Sequence, residues 1–280
     1  LIFSYLLIFI FSSCSITKHV PEDELLLRKV KIEILNSNNS NTISKEELYN
    51  LLLQKPNRKV FSNYRFYLRL YNLSNQQRID QKIVKKQIKT DKLNLKIKQQ
   101  NTSSLNLDSN YIQKPLKVRK LVFGERIQNT GEAPVIYSAL KLNRTKEQLK
   151  KYLFNKGYFK SEITDSTTIL DNGQMDIYYF IKLGEPMYLS SIKYQCPEIL
   201  ISSYLDSIKN NSFLKKGAIF DTDNLVKERN RINDFLTNSG FYNFNKEFIY
   251  FDIDTNYVSN TVNITLGIQN YKKIDKINNS

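Results

Sequence analysis

Few residues in this chain could make or break bonds. The one histidine, His19, sits in Thr17-Lys-His-Val20, so a multi-histidine metal site is excluded and a His-based triad has no support. No glycine-rich run ends in Lys-Ser/Thr to cradle a phosphate. The carboxylates fall in no recognisable site pattern. No catalytic, metal or cofactor-binding residue is assigned, and a non-enzyme without cofactors is expected. Of the two thiols, Cys196 ends the alternating run Ile192, Tyr194, Cys196 and reads as a small buried hydrophobe. What the chain does offer is cations. Its net charge is +15, and between Lys55 and Lys120 there are 17 Lys/Arg against three acids, Asp80, Asp91 and Asp108. A basic block this local argues for a local acidic partner.

Within the block, Arg65 and Arg69 are four apart and share a helical face. Tyr64, Phe66, Tyr67, Leu68, Leu70, Tyr71 and Leu73 surround them. A helix over 63–73 is too apolar to be solvated all round, which leaves a membrane interface, a protein surface or the core of a first domain. Next, Ile79, Ile83, Val84 and Ile88 form a narrow stripe among Arg78, Lys82, Lys85, Lys86 and Lys89. The candidate contact set for anionic head groups or lipopolysaccharide phosphates is Arg65, Arg69, Lys82, Lys85, Lys86 and Lys89. The plainer reading is a solvated face, and nucleic acid is not expected as a partner. Leu93, Leu95 and Ile97 are spaced by two, which leaves helix and strand open. Asn101–Asn110 reads as a polar loop, and Leu116–Ile127 as a second short basic helix.

The elements around this block come in two copies. Leu153-Phe-Asn-Lys-Gly157-Tyr-Phe159 is echoed 83 residues later by Leu236-Thr-Asn-Ser-Gly240-Phe-Tyr242. Tyr179, Ile181, Leu183 and Gly184 meet Val262, Ile264, Leu266 and Gly267 at the same offset, so 27 residues separate the glycines in each copy. Gly157, Gly184, Gly240 and Gly267 are assigned as structural turns. In the first copy, 27–34 alternates as a strand, Asn36–Asn41 turns, and Ser44-Lys-Glu-Glu47 boxes the start of a helix through Leu48, Leu51 and Leu52. Thr145-Lys-Glu-Gln148 is expected to cap a helix ending near Gly157. Strands follow at about 159–169 and 175–183, hinged at Asp171-Asn172-Gly173. In the second copy, strand 188–196, helix 197–210, a longer helix from Asp221 or Thr222 to Gly240, and strands 247–253 and 262–268 repeat the order. Each copy reads β-α-α-β-β, with helices on one face of a three-stranded sheet, an α+β fold.

The first residue is Leu, not Met, so the chain is expected to be a fragment that has lost its start. Residues 1–11 are almost wholly apolar, too short to span a bilayer, and end in Phe11-Ser12-Ser13-Cys14. This resembles a lipoprotein signal whose cysteine is acylated, with Phe11 where Leu is usual; an ordinary secretory signal or a clipped transmembrane helix is the other reading. The expected domains are a partial signal peptide (1–13), a linker lipidated at Cys14 (14–26), a first domain (27–54 plus 135–186) interrupted by a basic helical insertion (55–134), a second domain (187–270), and the start of a further segment or tail (271–280).

The order β-α-α-β-β twice, together with Gln54-Lys-Pro-Asn-Arg-Lys59, Tyr64-Arg-Phe-Tyr67, Leu70-Tyr-Asn72, Gly131-Glu-Ala-Pro-Val135 and Asn155-Lys-Gly-Tyr-Phe159, resembles the POTRA region of the BamA/TamA outer-membrane assembly superfamily. The lipoprotein form found in Bacteroidetes, TamL, is the nearest match. The resemblance implies soluble domains in the periplasm, an outer-membrane location through a lipid anchor and a C-terminal β-barrel, and unfolded outer-membrane protein clients captured as added strands. A TamB-like periplasmic partner is also implied. In the resembled family the strand after the second helix is the usual edge, here about 159–169 and 246–254; such an edge either takes up clients or is shielded by loops. No barrel is expected within the chain, because only the ten residues 271–280 follow Asn270 and they are polar and basic. Truncation is the favoured explanation, and the alternative is a barrel-less surface or periplasmic lipoprotein that acts as a scaffold or adhesin.

Overall fold

The computed structural model describes residues 16–35, 43–60, 64–107 and 112–269. The expected signal peptide (1–13), the expected lipidation site Cys14, the expected turn at Asn36–Asn41 and the segment 271–280 lie outside the described residues. The chain divides into two compact units. One holds the described parts of Leu1–Val30, Gln54–Ser138 and Thr167–Ile177; the other holds those of Lys31–Leu53, Ala139–Ser166 and Tyr178–Ser280.

The element order is β1 (Leu26–Ile34), α1 (Lys45–Asn50), α2 (Phe66–Asn72), α3 (Gln76–Leu107), α4 (Phe123–Thr130), α5 (Ala139–Asn155), β2 (Glu162–Leu170), β3 (Gln174–Lys182), β4 (Tyr188–Gln195), α6 (Ile199–Ile208), α7 (Thr222–Asn238), β5 (Ile249–Asn256) and β6 (Thr261–Ile268). The fold is α+β, with two three-stranded sheets in the orders β1-β3-β2 and β4-β6-β5. The β-α-α-β-β order is present twice, and in the first copy α2, α3 and α4 lie between the two helices.

Period-two apolar patterning places the central strands. Met175, Ile177, Tyr179 and Ile181 of β3 are all buried, as are Val262, Ile264, Leu266 and Ile268 of β6. Against β6, strand β4 runs parallel from Tyr188↔Thr261 to Gln195↔Gly267, and β5 runs antiparallel from Ile249↔Ile268 to Asn256↔Thr261. Helical spacing sets the layer above. Ile201 and Leu205 of α6 and Ile232 and Leu236 of α7 pack with Phe244, Ile249, Leu266 and Ile268. Glu228 of α7 is fully buried, but Arg231 Nη2 (2.6 Å) and the Phe213 N–H (3.0 Å) donate to its carboxylate, so its charge is matched.

Several boundaries differ from the sequence reading for identifiable reasons. Helix α5 starts at Ala139, and Thr145 lies inside it rather than at its cap. The Thr145 hydroxyl donates back to the Lys141 carbonyl (2.7 Å) and accepts from the Leu53 N–H (3.3 Å), which binds the end of the α1 segment to α5. The expected loop at Asn101–Asn110 is helical through residue 107. Leu93, Leu95 and Ile97 belong to the same 32-residue α3. The expected basic helix at Leu116–Ile127 is half extended: the chain is non-helical to Val122, and α4 begins at Phe123.

Candidate functional site

Among the described residues, each sheet has one covered rim and one open rim. Along β1, the Leu27 N–H donates to the Val135 carbonyl (2.8 Å) and the Tyr137 N–H donates to the Leu25 carbonyl (2.9 Å), with Leu26 bridged to Ile136. Along β4, the Leu189 N–H donates to Ala218 (2.8 Å), Gly217 donates to Leu189 (2.7 Å) and Phe220 donates to Met187 (2.8 Å), with Tyr188 bridged to Ile219. In both copies the covering segment is the stretch just before the second helix, α5 or α7. The opposite rims are β2 and β5, where each sheet order ends among the described residues. Their unpaired backbone groups are a template for another strand.

A groove of about 420 Å³ runs beside the start of β2. It is lined by Lys146, Glu147 and Lys150 of α5 and by residues 161–164. Lys146 Nζ is 2.6 Å from Asp165 Oδ1, which ties α5 to β2. Ser161 is buried, and its Oγ has no hydrogen-bond partner among the described residues.

The basic block is built differently from its expected form. Residues 112–122 form an extended strap along α3. The Asn94 Nδ2 donates to the Lys117 carbonyl (2.9 Å) while its Oδ1 accepts from the Lys117 N–H (2.7 Å). Asn101 does the same for Lys114, at 2.9 Å in both directions. The spacing fits: seven helical residues rise ~10.5 Å, and three extended residues span ~10 Å. Lys86 Nζ continues the series by donating to the carbonyls of Leu121 (3.1 Å) and Lys120 (3.4 Å). At the strap's end, Arg119 grips Glu125 with two bonds (2.7 and 2.8 Å), and the Glu125 carboxylate also accepts from the Val122 N–H (2.7 Å), closing the start of α4. The Arg119 guanidinium, helped by that N–H, holds the Glu125 carboxyl down at about 2.

The expected contact residues separate into four groups. Lys82, Lys85 and Lys89 are exposed on α3. Lys86 is spent on the strap. Arg65 is corrected outright. It precedes α2, is buried at 7% exposure, and donates from Nη2 to the Arg28 carbonyl. Burial and then the neighbouring Arg28 charge depress its pKa, so it serves the fold and no surface can reach it. Arg69 stacks over the Tyr64 ring, 5.0 Å from its centroid.

Three of the four glycines have positive φ: Gly157 at 87°, Gly184 at 71° and Gly240 at 99°. Gly267 is not at a turn. It lies inside β6 directly opposite Tyr250, whose ring occupies the space a Cβ would need. Sequence reasoning missed the amide clips. Asn94, Ile97 and Asn101 share one helical face, which is the signal that could have shown them, as could Gln54. Gln54 clips Ser138 in the same two-bond way, at 3.1 and 3.0 Å.

A family model described as POTRA, surface antigen variable number repeat, matches residues 96–184. The match begins inside α3 and ends just past β3. No curated protein matches the chain. Among solved structures, BamA POTRA3-5 of Haemophilus influenzae aligns at 13% identity over 90% of this chain and 69% of that one, with a TM-score of 0.38. POTRA1-2 of the periplasmic domain of Omp85 from Anabaena aligns at 11% over 88% and 96%, with a TM-score of 0.33. CdiB from Escherichia coli aligns at 8% over 90% and 28%, with a TM-score of 0.29. Scores below 0.5 at such identities are too low to bear on function.

Proposed function

We propose that this chain is the periplasmic part of an outer-membrane protein assembly or translocation factor. It captures extended client strands by β-augmentation and hands them to a C-terminal β-barrel. The observation that carries this reading is the repeated pattern of rims, with β1 and β4 covered and β2 and β5 open. Main-chain pairing along such a rim accepts many sequences, which suits a module that must serve unrelated clients. The groove with Lys146, Lys150 and Ser161 gives β2 side-chain contacts beyond the backbone. The POTRA match to 96–184 supports the same reading. Lipid on Cys14 would tether the domains to the outer membrane, and a TamB-like periplasmic protein is the partner the POTRA resemblance implies.

The test is a single-proline scan through 163–169 and 249–256, read by fluorescence anisotropy of a labelled peptide copied from an outer-membrane β-strand. Binding should fall at alternate positions, where proline removes an outward N–H. Unchanged binding in variants that still fold would remove strand addition as the mechanism.

A further inference from the structure

We propose that α3 is an interfacial helix that docks the protein on an anionic lipid bilayer, through a face chosen by the strap. The strap and the start of α4 take up the side of α3 carrying Ile79, Lys86, Asn94, Ile97 and Asn101. Turning about 100° per residue, the remaining side chains sort into two lines. Arg78, Lys82, Lys85, Lys89, Lys92 and Lys96 recur at intervals of four, three, four, three and four, so they form one stripe ~27 Å long. All six are exposed, and none forms an ion pair among the described residues. The acids Asp80 and Asp91 fall on the far side of the helix from this stripe.

About 100° round from the cations, Val84, Ile88 and Leu95 form an apolar line, and each is more than half exposed. At the head of the stripe Phe123, 76% exposed, borders a pocket of about 310 Å³ with Lys82, Lys85 and Lys86. The face turned away from the strap therefore pairs a cationic row with an apolar row, the arrangement that rests among lipid head groups and acyl chains.

The chemistry favours lipid over other anions. Five of the six cations are lysines, compact hydrated charges suited to a diffuse anionic surface; recognition of fixed carboxylates or single phosphates favours the arginine fork. Nucleic acid would need stacking rings along the row, and the stripe has none beyond Phe123 at its end. Val84, Ile88 and Leu95 would have no role on a duplex.

The experiment is co-sedimentation of the protein with vesicles of phosphatidylcholine alone or mixed with phosphatidylglycerol. Binding is expected only to the anionic vesicles, and it should weaken as salt rises. The triple variant Lys82→Gln, Lys89→Gln, Lys96→Gln should bind on the order of a hundredfold more weakly, with unchanged thermal melting because these side chains are exposed and form no ion pair among the described residues. Val84→Ser with Ile88→Ser should weaken binding roughly tenfold. Equal binding to both vesicle types, indifference to salt in the unmodified protein, or full binding by the folded triple variant would each overturn the proposal. So would tighter binding to a DNA duplex than to the anionic vesicles.

Discussion

Asn94 replaces a neighbouring β-strand for Lys117: one side-chain amide satisfies both the N–H and the carbonyl of a residue 23 positions away. With Asn101 on Lys114 and Lys86 on residues 120 and 121, it converts a loop into a strap whose line along α3 is fixed. The strap in turn decides which side chains of α3 face outward.

Removing the clips should therefore free the strap without unfolding the protein. Asn94→Ala with Asn101→Ala deletes four exposed hydrogen bonds, each worth ~1 kcal/mol net at most. Amide hydrogen exchange at Lys114 and Lys117 should accelerate by one to two orders of magnitude, and limited proteolysis should open between 112 and 121. Amides of β6 should keep their protection. Retention of slow exchange at both lysines would show that the clips do not hold the strap.

Gly157 shows how one copy of the repeat is built onto the next. With φ at 87°, its missing Cβ would lie 2.5 Å from the Phe220 carbonyl oxygen, and the Met187 N–H donates to the Gly157 carbonyl at 2.9 Å. Its counterpart Gly240 also has positive φ, but nothing lies within 4 Å of its Cβ position. Gly240→Ala should cost only the left-handed penalty, ~1 kcal/mol. Gly157→Ala must also displace backbone and should cost ~3 kcal/mol. Urea denaturation of the two variants measures the difference. Equal midpoints would mean that the junction yields easily.

These particulars mark what was legible in the sequence. Strands β3 and β6 and helices α6 and α7 announce themselves because burial on one face leaves a period of two or of about 3.6. The rims β2 and β5 are implied by the POTRA resemblance and not by periodicity. The extended strap leaves no such mark, because its backbone partners are side chains 13 to 35 positions away and its own composition is that of a basic helix. Arg65 was misplaced for a related reason. Periodicity can group it with Arg69, but only the fold brings the Arg28 carbonyl to it. Gly267 matched Gly184 in spacing, yet one clears room for the Tyr250 ring and the other turns the chain after β3.

Lys156 carries the last prediction, at the same junction. Its ammonium reaches Asp221, the cap of α7, at 3.0 Å and Asp223 at 2.7 Å. Partial burial alone would lower its pKa, but the bonds to Asp223 and Asp221 outweigh that and hold it above the usual lysine value. A folded-state pKa above the unfolded one gives stability that is complete below about 10.5 and is lost as pH rises through the folded value. Lys156→Met should therefore cost ~1 kcal/mol at neutral pH and progressively less above pH ~10.5, where the unfolded chain's lysine gives up its proton before the native one does. Thermal melting of both proteins from neutral to alkaline pH would show the two curves converging at the alkaline end. A gap that stayed constant would mean that the aliphatic stem of Lys156, and not its charge, stabilises the end of α5.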